Sequence, residues 1–407
     1  MRVLLVAGFC LASASAAFAD GQDFERIARG RYLTILGDCA ACHTAPSGQL
    51  FAGGLALQTP FGTLVAPNIT PDRETGIGNM TDDEFLASLH DGRGHNGRRL
   101  YPAMPYPAYT KLTDDDVLAI RAYLSTLTPV HNDVEVNRLP FPFSIRLSMI
   151  FWNALNFTPG RYQSHPRKSP EWNRGAYLVE GAAHCGTCHT PKTWLGGDKN
   201  NLALAGATLQ GWFAPDIRNE TPEGIGAWSK DDLYQYLKTG TNDWTLASGP
   251  MAEAVSHSTS QMIDEDIQAI ATYLKDSDQL FSSSKVVSMD PGDSSMRAGS
   301  AIYKDSCAAC HRDSGAGEAH LFPRLAGSAQ VQSSDPTTLV RVVLQGARAV
   351  STSAAPTAPA MPAFDWRLND SQVAAVLTYI RNSWGNAATP VVASTVAGQR
   401  TSLAKAP

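Results

Sequence analysis

Three short segments of one pattern constrain this chain more than any other feature. Each has two cysteines separated by two residues and followed at once by a histidine: CAACH at 39–43, CGTCH at 185–189 and CAACH at 307–311. Together they use six of the seven cysteines in the 407 residues. Cysteines at this spacing lie about one helical turn apart, so both thiols face the same way.

This spacing is the attachment signature of c-type haem, in which the thiols bond to the vinyl groups and the histidine is the proximal ligand of the iron. A zinc site would need four ligands, and each segment offers three. A redox-active dithiol would need a thioredoxin-like strand and helix, which these surroundings do not suggest. The sequence therefore predicts three covalently bound haem c groups. The predicted residues are Cys39, Cys42 and His43; Cys185, Cys188 and His189; and Cys307, Cys310 and His311.

Methionine is the predicted sixth ligand at each haem, because it raises the reduction potential and closes the iron to outside ligands. Met104, Met251 and Met361 follow the three histidines by 61, 62 and 50 residues. Neighbouring prolines predict extended segments that do not join a helix. Met251 is the weakest candidate, because no proline follows it.

Other histidines and methionines are the alternatives. Histidine would give bis-histidine haems, but hydrogen-bonding or surface roles are the expectation for these side chains. A single methionine is also a common core residue. The alternative histidines are His95, His257 and His320, and the methionines assigned to packing are Met80, Met149, Met262, Met289 and Met296.

The first residues predict an export signal. Arg2 supplies positive charge, an apolar stretch follows, and AFA at 17–19 is a cleavage site. The apolar stretch is too short to span a bilayer. Cys10 lacks the preceding small residue that a lipoprotein signal requires. We therefore expect an exported chain, in which cysteines would normally pair as disulfides. The six cysteines outside the signal lie only in C-x-x-C-H segments, a poor pattern for cross-linking distant loops, so their number favours a different chemistry.

Composition excludes some functions. The chain is 43% hydrophobic and 17% charged with a formal net charge of -5, so no basic excess suggests a nucleic acid partner. No Ser/His/Asp set, Gly-rich phosphate loop or paired carboxylate site indicates catalysis. We expect a protein that is not an enzyme by itself.

The flanks of the three segments repeat. A helix is predicted before each one, over RGRYL at 29–33, RGAYL at 174–178 and RAGSAIY at 297–303. A second helix with apolar residues at i, i+3 and i+7 is predicted near each repeat's end. The acidic run Asp114–Asp116 after Thr113 predicts a capped helix start or a solvated surface, not a metal site.

Two linkers separate the repeats. PFPFSIRLSMIFWNALNF at 140–157 has two equally supported interpretations: an anchoring helix in a membrane interface, or a segment that packs between the first two repeats. DQLFSSSKVVSMDPGDSS at 278–295 is polar and serine-rich, and is predicted to be flexible.

Several segments resemble the three-haem cytochrome c subunit of bacterial membrane-bound dehydrogenases. They include RGRYLTILGDCAACHTAPSGQLFAGG, LYPAMPYPAYTKLTDDD, EWNRGAYLVEGAAHCGTCHTPK and GPMAEAVSHS. The resemblance implies that the chain takes electrons from a separate flavin- or quinone-dependent catalytic subunit. It also implies delivery to ubiquinone at the periplasmic face of the cell membrane, where the chain would be peripherally attached. Two departures are Ile263, where a polar helix start is usual, and a tail after Asn386 without an amphiphilic anchor.

We therefore expect an all-α protein of three tandem class I cytochrome c domains, each with one covalently bound haem. The alternative function is a free periplasmic multihaem carrier that passes electrons to a terminal oxidase. The predicted division is 1–19 signal peptide, 20–130 first domain, 131–170 apolar linker, 171–277 second domain, 278–295 flexible linker, 296–385 third domain and 386–407 tail.

Overall fold

The computed structural model describes residues 14–135, 138–276 and 287–404, with side chains described from residue 23 onward. Most of the predicted signal peptide and much of the second linker lie outside these residues, so both remain predictions. Within the described residues, no helix combines the length and apolarity needed to cross a bilayer.

Helices form most of the regular structure, as predicted. A π-helical turn, Leu178–Ala182, follows one of them, and three 3-10 turns cover His95–Gly97, Asn200–Leu202 and Thr259–Gln261. The α-helices in chain order are Ala14–Leu36, Cys39–His43, Asp82–Asp91, Tyr106–Tyr109, Asp114–Ser125, Ser148–Asn156, Pro170–Tyr177, Gly186–His189, Lys230–Thr239, Pro250–His257, Asp264–Lys275, Ser294–Ser306, Ala308–His311, Ala329–Gln332, Thr337–Gln345, Asp370–Arg381 and Ala393–Ala404.

Three small antiparallel hairpins were not predicted. Their strands have at most four residues, too few for a period-two pattern to stand out in the sequence. Each pairs only with its own partner strand. The hairpins are Ala56–Thr59 with Gly62–Val65, Ala207–Leu209 with Trp212–Ala214, and Ala347–Arg348 with Ala360–Met361.

A crossing of two helices recurs three times and defines three units. In each, the helix before the C-x-x-C-H segment packs on the helix with the i, i+3, i+7 stripe. A glycine lies at each crossing, where any side chain would overlap the partner backbone. An ideal Cβ would lie 1.8 Å from the carbonyl oxygen of Ala119 at Gly30, 2.0 Å from that of Ala269 at Gly175, and 2.2 Å from that of Ala375 at Gly299.

The first two units share one hydrophobic core, whereas the third has its own. One cluster joins buried side chains such as Leu36 and Leu112 of the first unit with Leu178 and Ile267 of the second. The other cluster lies within the third unit, around residues such as Leu377. The first two units therefore pack as one body.

Two buried carboxylates join the first two units, and each lies at the start of the last helix of its own unit. In the first unit, Asp116 is buried and accepts hydrogen bonds from Arg29 of the same unit and from the hydroxyl of Tyr177 in the second. The hydroxyl also accepts a bond from the backbone N–H of Thr113, at 3.2 Å. The predicted capped helix start is confirmed, because the Thr113 side chain accepts from the N–H of Asp116 and all three aspartates lie in the first turn. The solvated alternative is wrong for Asp116, because this side chain is an ion-pair partner inside an interface.

The same interaction occurs in the opposite direction, between a carboxylate of the second unit and a tyrosine of the first. Arg174 donates to both carboxylate oxygens of buried Asp266, at 2.8 and 2.7 Å. The hydroxyl of Tyr32, from the first unit, donates to Asp266 at 2.8 Å and accepts from the N–H of Ile263 at 3.2 Å. Ile263 makes no side-chain cap, so the tyrosine bonds to the helix start instead. The two contacts are reciprocal, as in a twofold interface.

The third unit lacks the residues of this reciprocal contact. Two positions after its crossing glycine stands Ala301, and the position of the buried acid is Gln372, which closes a capping box with Asn369. The third unit instead docks on the second through Thr338. Its hydroxyl accepts from the N–H of Phe213 at 2.8 Å and donates to the Phe213 carbonyl at 3.1 Å.

The helix Ser148–Asn156 bridges the first two units with one of its faces. Trp152 is buried and donates to the carbonyl of Leu195 at 2.8 Å, and Asn153 accepts from the hydroxyl of Tyr106 at 2.7 Å. The packing interpretation of this linker is therefore confirmed for that face. Its other face is exposed, and the membrane interpretation remains a prediction for it.

The tail also contains a helix that the sequence did not predict. Ala393–Ala404 packs on the third unit through Val396, which is fully buried, and Arg400 donates to Asp370 at 2.9 Å. Its alanine-, serine- and threonine-rich composition carries no clear apolar stripe, which is why the pattern was missed.

We predict that Tyr32→Phe and Tyr177→Phe each lower the free energy of unfolding by about 1.5–3 kcal/mol, because each removes a hydrogen bond to a buried carboxylate. Urea denaturation followed by circular dichroism measures the loss. Tyr123→Phe is the control, since its hydroxyl has no hydrogen bond among the described residues. If Tyr32→Phe and Tyr177→Phe were as stable as Tyr123→Phe, the two tyrosine hydrogen bonds would not stabilise the interface between the units.

Candidate haem sites

Each C-x-x-C-H segment forms a helical turn, so its two thiols lie on one face as predicted. Cys39–His43 is helical throughout. In the other two segments the first cysteine is the N-cap, and the histidine N–H donates to its carbonyl at 3.0 Å. None of the six thiols is in a disulfide. The geometry therefore presents two free thiols and an imidazole three times.

The three histidines are oriented by the same hydrogen bond. Nδ1 contacts the carbonyl oxygen of a proline, which can only accept, so Nδ1 carries the proton and Nε2 presents its lone pair. This is the arrangement that fixes an imidazole as a metal ligand. The Nδ1 to oxygen distances are 2.7 Å for His43 and Pro67, 2.7 Å for His189 and Pro215, and 3.0 Å for His311 and Pro323.

Burial keeps these imidazoles neutral. It lowers the pKa of His43, His189 and His311, and the proline carbonyls oppose that shift without reversing it. A metal ligand must be the neutral imidazole, so the environment favours the form that coordinates iron.

Burial also favours the neutral form of most of the six thiols. Burial raises the pKa of Cys39 and Cys185 to about 12, and that of Cys42 and Cys307 to about 11. Redox-active dithiols need the opposite shift, and zinc binds thiolate. Among the described residues, no cluster of three histidine, cysteine or acidic side chains could hold a metal ion. The donor set therefore fits haem attachment better than either alternative.

Two of the three predicted methionines lie in extended or irregular backbone. Met104 lies in a bend before Pro105, and Met361 lies in the strand Ala360–Met361. Met104 packs on the hydrophobic cluster that Cys39 also contacts, and Met361 on the one that Cys307 contacts. These positions match the expectation of a non-helical segment; the role of both side chains as ligands stays a prediction.

Met251 differs, and the expectation of an extended segment is wrong there. It is the second residue of the helix Pro250–His257, with Pro250 at the first position. A proline can begin a helix because its missing N–H is one that the first turn leaves unpaired. The left-handed backbone of Gly249, at φ 56°, turns the chain into this helix.

Most of the methionines and histidines that were assigned to packing or surface roles lie in the core or at the surface, respectively. Met262 and Met296 are buried core residues. His95 is exposed and hydrogen-bonds to Glu84 at 2.9 Å, and His320 lies 3.3 Å from Asp243. These histidines have protein partners at the surface, as expected.

The first two C-x-x-C-H segments are adjacent in space. Nε2 of His184, the residue before Cys185, donates to the carbonyl of Gly37 at 3.1 Å, close to the start of the first segment. Tyr109 donates to the same carbonyl at 3.0 Å. Cys188 is close enough to Cys42 to contribute to the raised pKa of the Cys42 thiol, after burial and the nearby acids. The shared core therefore brings the two candidate haem sites together.

Sequence reasoning missed the proline carbonyls that orient the histidines. A signal was present in the repeated Ala-Pro-x-Ile, at 66–69 and 214–217, which follows each of the first two segments at similar distances. The third unit has Phe-Pro-Arg-Leu at 322–325, so the repeat is partial there. A backbone acceptor is harder to predict from sequence than a side-chain ligand, because any residue has a backbone carbonyl.

Comparison with known proteins places these sites in a family. The cytochrome c family model matches residues 27–128, 173–278 and 296–384, one match for each C-x-x-C-H segment. The cytochrome c subunit of gluconate 2-dehydrogenase from Pantoea cypripedii is 42% identical over 93% of this chain and 90% of its own.

Two further relatives have the same kind of name. The cytochrome c subunit of alcohol dehydrogenase (quinone) from Gluconobacter oxydans is 39% identical over 95% of this chain and 84% of its own. The fructose dehydrogenase cytochrome subunit from Gluconobacter japonicus is 39% identical over 93% and 84%. The chain belongs to the cytochrome c family, and it is similar over most of its length to the cytochrome c subunits of gluconate, alcohol and fructose dehydrogenases.

Proposed function

We propose that the chain is the electron-transfer subunit of a periplasmic membrane-bound dehydrogenase complex. It takes electrons from a separate flavin- or quinone-dependent catalytic subunit and passes them through three c-type haems to ubiquinone. The observation that carries the proposal is the similarity, over most of the chain, to cytochrome subunits of three dehydrogenases. The repeated histidine–proline geometry supports a haem in each unit.

The three units act as tandem class I cytochrome c domains, within the predicted boundaries 20–130, 171–277 and 296–385. Bound haem supplies one-electron oxidation and reduction. The protein holds the neutral imidazole at a fixed orientation and offers two thiols on one turn. The reciprocal contacts of Tyr32 and Tyr177 fix the distance between the first two sites. No residue of the chain is assigned a catalytic role.

Methionine ligation is supported by the places of the three residues in the sequence, which follow the three histidines by 61, 62 and 50 residues. Met104, Met251 and Met361 serve as sixth ligands, which close the iron to outside molecules and raise its reduction potential. In this role each unit transfers electrons and does not bind a substrate.

We predict that Met104→Leu lowers the reduction potential of one haem and lets carbon monoxide bind the reduced chain, because the thioether no longer fills the sixth position. Redox titration and visible spectroscopy of the haem-loaded chain measure both effects. Met262→Leu is the control, a volume-conserving change in the core that costs less than about 1.5 kcal/mol. If the methionine–iron absorption band survives in the triple Met104→Leu/Met251→Leu/Met361→Leu variant, the ligand assignment is wrong.

We predict that the chain, purified with mild detergent from its own host, elutes with a larger polypeptide that contains flavin or quinone. Substrate of that polypeptide should then reduce the haems within the isolated complex, and the identity of that substrate follows from the same measurement. Isolation of the chain alone, as a soluble monomer without a co-eluting polypeptide, would favour the free carrier instead.

A further inference from the structure

An apolar surface lies beside the first unit and is unusual for this chain. Seven of the fifteen large hydrophobic side chains that are exposed in the described residues fall between 141 and 155. Trp194, which is 85% exposed, lies one residue from the carbonyl that binds Trp152. We call this surface the apolar patch, and its members are Phe141, Phe143, Ile145, Leu147, Ile150, Phe151, Leu155 and Trp194.

Seven members of the patch lie on a short helix and the turns before it, and Trp194 comes from the second unit. Leu147, Ile150, Phe151 and Leu155 recur at helical spacing and are all exposed, whereas Trp152 on the other side is buried. Exposed apolar side chains at this spacing make an amphipathic helix with its apolar side outward. Such a contiguous face marks an interaction surface.

The rest of the protein holds this face rigidly. Phe143 contacts the ring of Phe61 edge-on, with centroids 5.1 Å apart, and its carbonyl accepts from the hydroxyl of Tyr101 at 2.8 Å. The indole of Trp152 and the amide of Asn153 fix the inner side to both units. The patch is therefore presented by the folded chain and needs no rearrangement to meet a partner.

Arginines lie beside the patch. Of the cations in the linker itself, Arg138, Arg161 and Lys168 form ion pairs with Glu135, Asp114 and Asp276. Arg146, within the patch, stacks on Tyr101 at 4.7 Å and donates to the carbonyl of Arg99 at 2.7 Å. Arg98 is near enough for its charge to act on Arg146. In the described part of the chain, no carboxylate forms an ion pair with Arg98, Arg99 or Arg146.

We infer that the apolar patch and its arginines bind the anionic lipid surface of a membrane. An outward apolar helix face with cations at its edge matches acyl chains beside lipid phosphates. An exposed tryptophan suits the boundary between headgroups and hydrocarbon. This inference rests on the proposed function, in which the chain works at a membrane face, and it names the surface responsible.

The arrangement places the first unit closest to lipid. Arg99 and Tyr101 belong to the segment that leads to Met104, and Tyr106 follows it, so the patch packs directly on the candidate distal loop of the first haem site. The third unit contributes no member of the patch. Electron exchange with a membrane-dissolved acceptor is therefore expected at the first unit.

Vesicle binding of the haem-loaded mature chain tests the inference. Phosphatidylcholine vesicles with and without phosphatidylglycerol are the probe, and sedimentation measures the bound fraction. Phe151→Ser/Leu155→Ser should weaken binding to both vesicles at least about tenfold. Arg98→Gln/Arg99→Gln should weaken binding at least about tenfold only when phosphatidylglycerol is present.

Matched variants serve as controls. Val287→Ser/Val392→Ser removes two exposed apolar side chains from elsewhere, and Arg31→Gln/Arg73→Gln removes two exposed cations; both should bind vesicles like the original chain. Vesicle binding that is unchanged in the patch variants would overturn the inference. It would also be overturned if these variants no longer bound the catalytic subunit but still bound vesicles like the original chain. Haem reduction by the catalytic subunit in detergent is measured in parallel, because it tests the proposed function independently of lipid.

Discussion

The hydrogen bond from the histidine of each C-x-x-C-H segment to a proline carbonyl is the interaction on which each candidate haem site depends. It decides which imidazole nitrogen is protonated, it sets the plane of the ring, and it leaves the other nitrogen as a donor to a metal. It also joins the C-x-x-C-H turn to a loop 12 to 26 residues further along the chain. Three repetitions of one hydrogen bond, the third with Phe-Pro-Arg-Leu in place of Ala-Pro-x-Ile, indicate a shared requirement of the sites.

The three units do not form an evenly spaced row. Tyr32 and Tyr177 exchange hydrogen bonds with buried carboxylates across the first two units, which also share one core. The third unit has Ala301 and Gln372 at the matching places and docks through other contacts. Hydrogen bonds from these tyrosines to buried carboxylates, together with the shared core, hold the first two sites to one another. The proposed electron transfer between the first two sites therefore has a fixed separation.

The sequence was most informative where function requires a particular side chain. The cysteine and histidine spacing, the capped helix start at Thr113, and the two helices predicted for each repeat were all visible as patterns. The short hairpins, the proline carbonyls and the tail helix were not, because backbone interactions and unpatterned alanine-rich helices leave little trace in a single sequence. Met251 misled because proline is compatible with a first helical turn. The buried role of Asp116 depends on a tyrosine 61 residues away, which only the folded chain reveals.

Porphyrin tethered through two thioether bonds at each of three places is the central claim of this account. Intact mass spectrometry of the mature exported chain measures it most directly. The account predicts a mass increased by three haem groups, with peptides around Cys39, Cys185 and Cys307 each modified at both cysteines of the segment. A mass with fewer adducts, or six thiols that all react with an alkylating reagent, would contradict it.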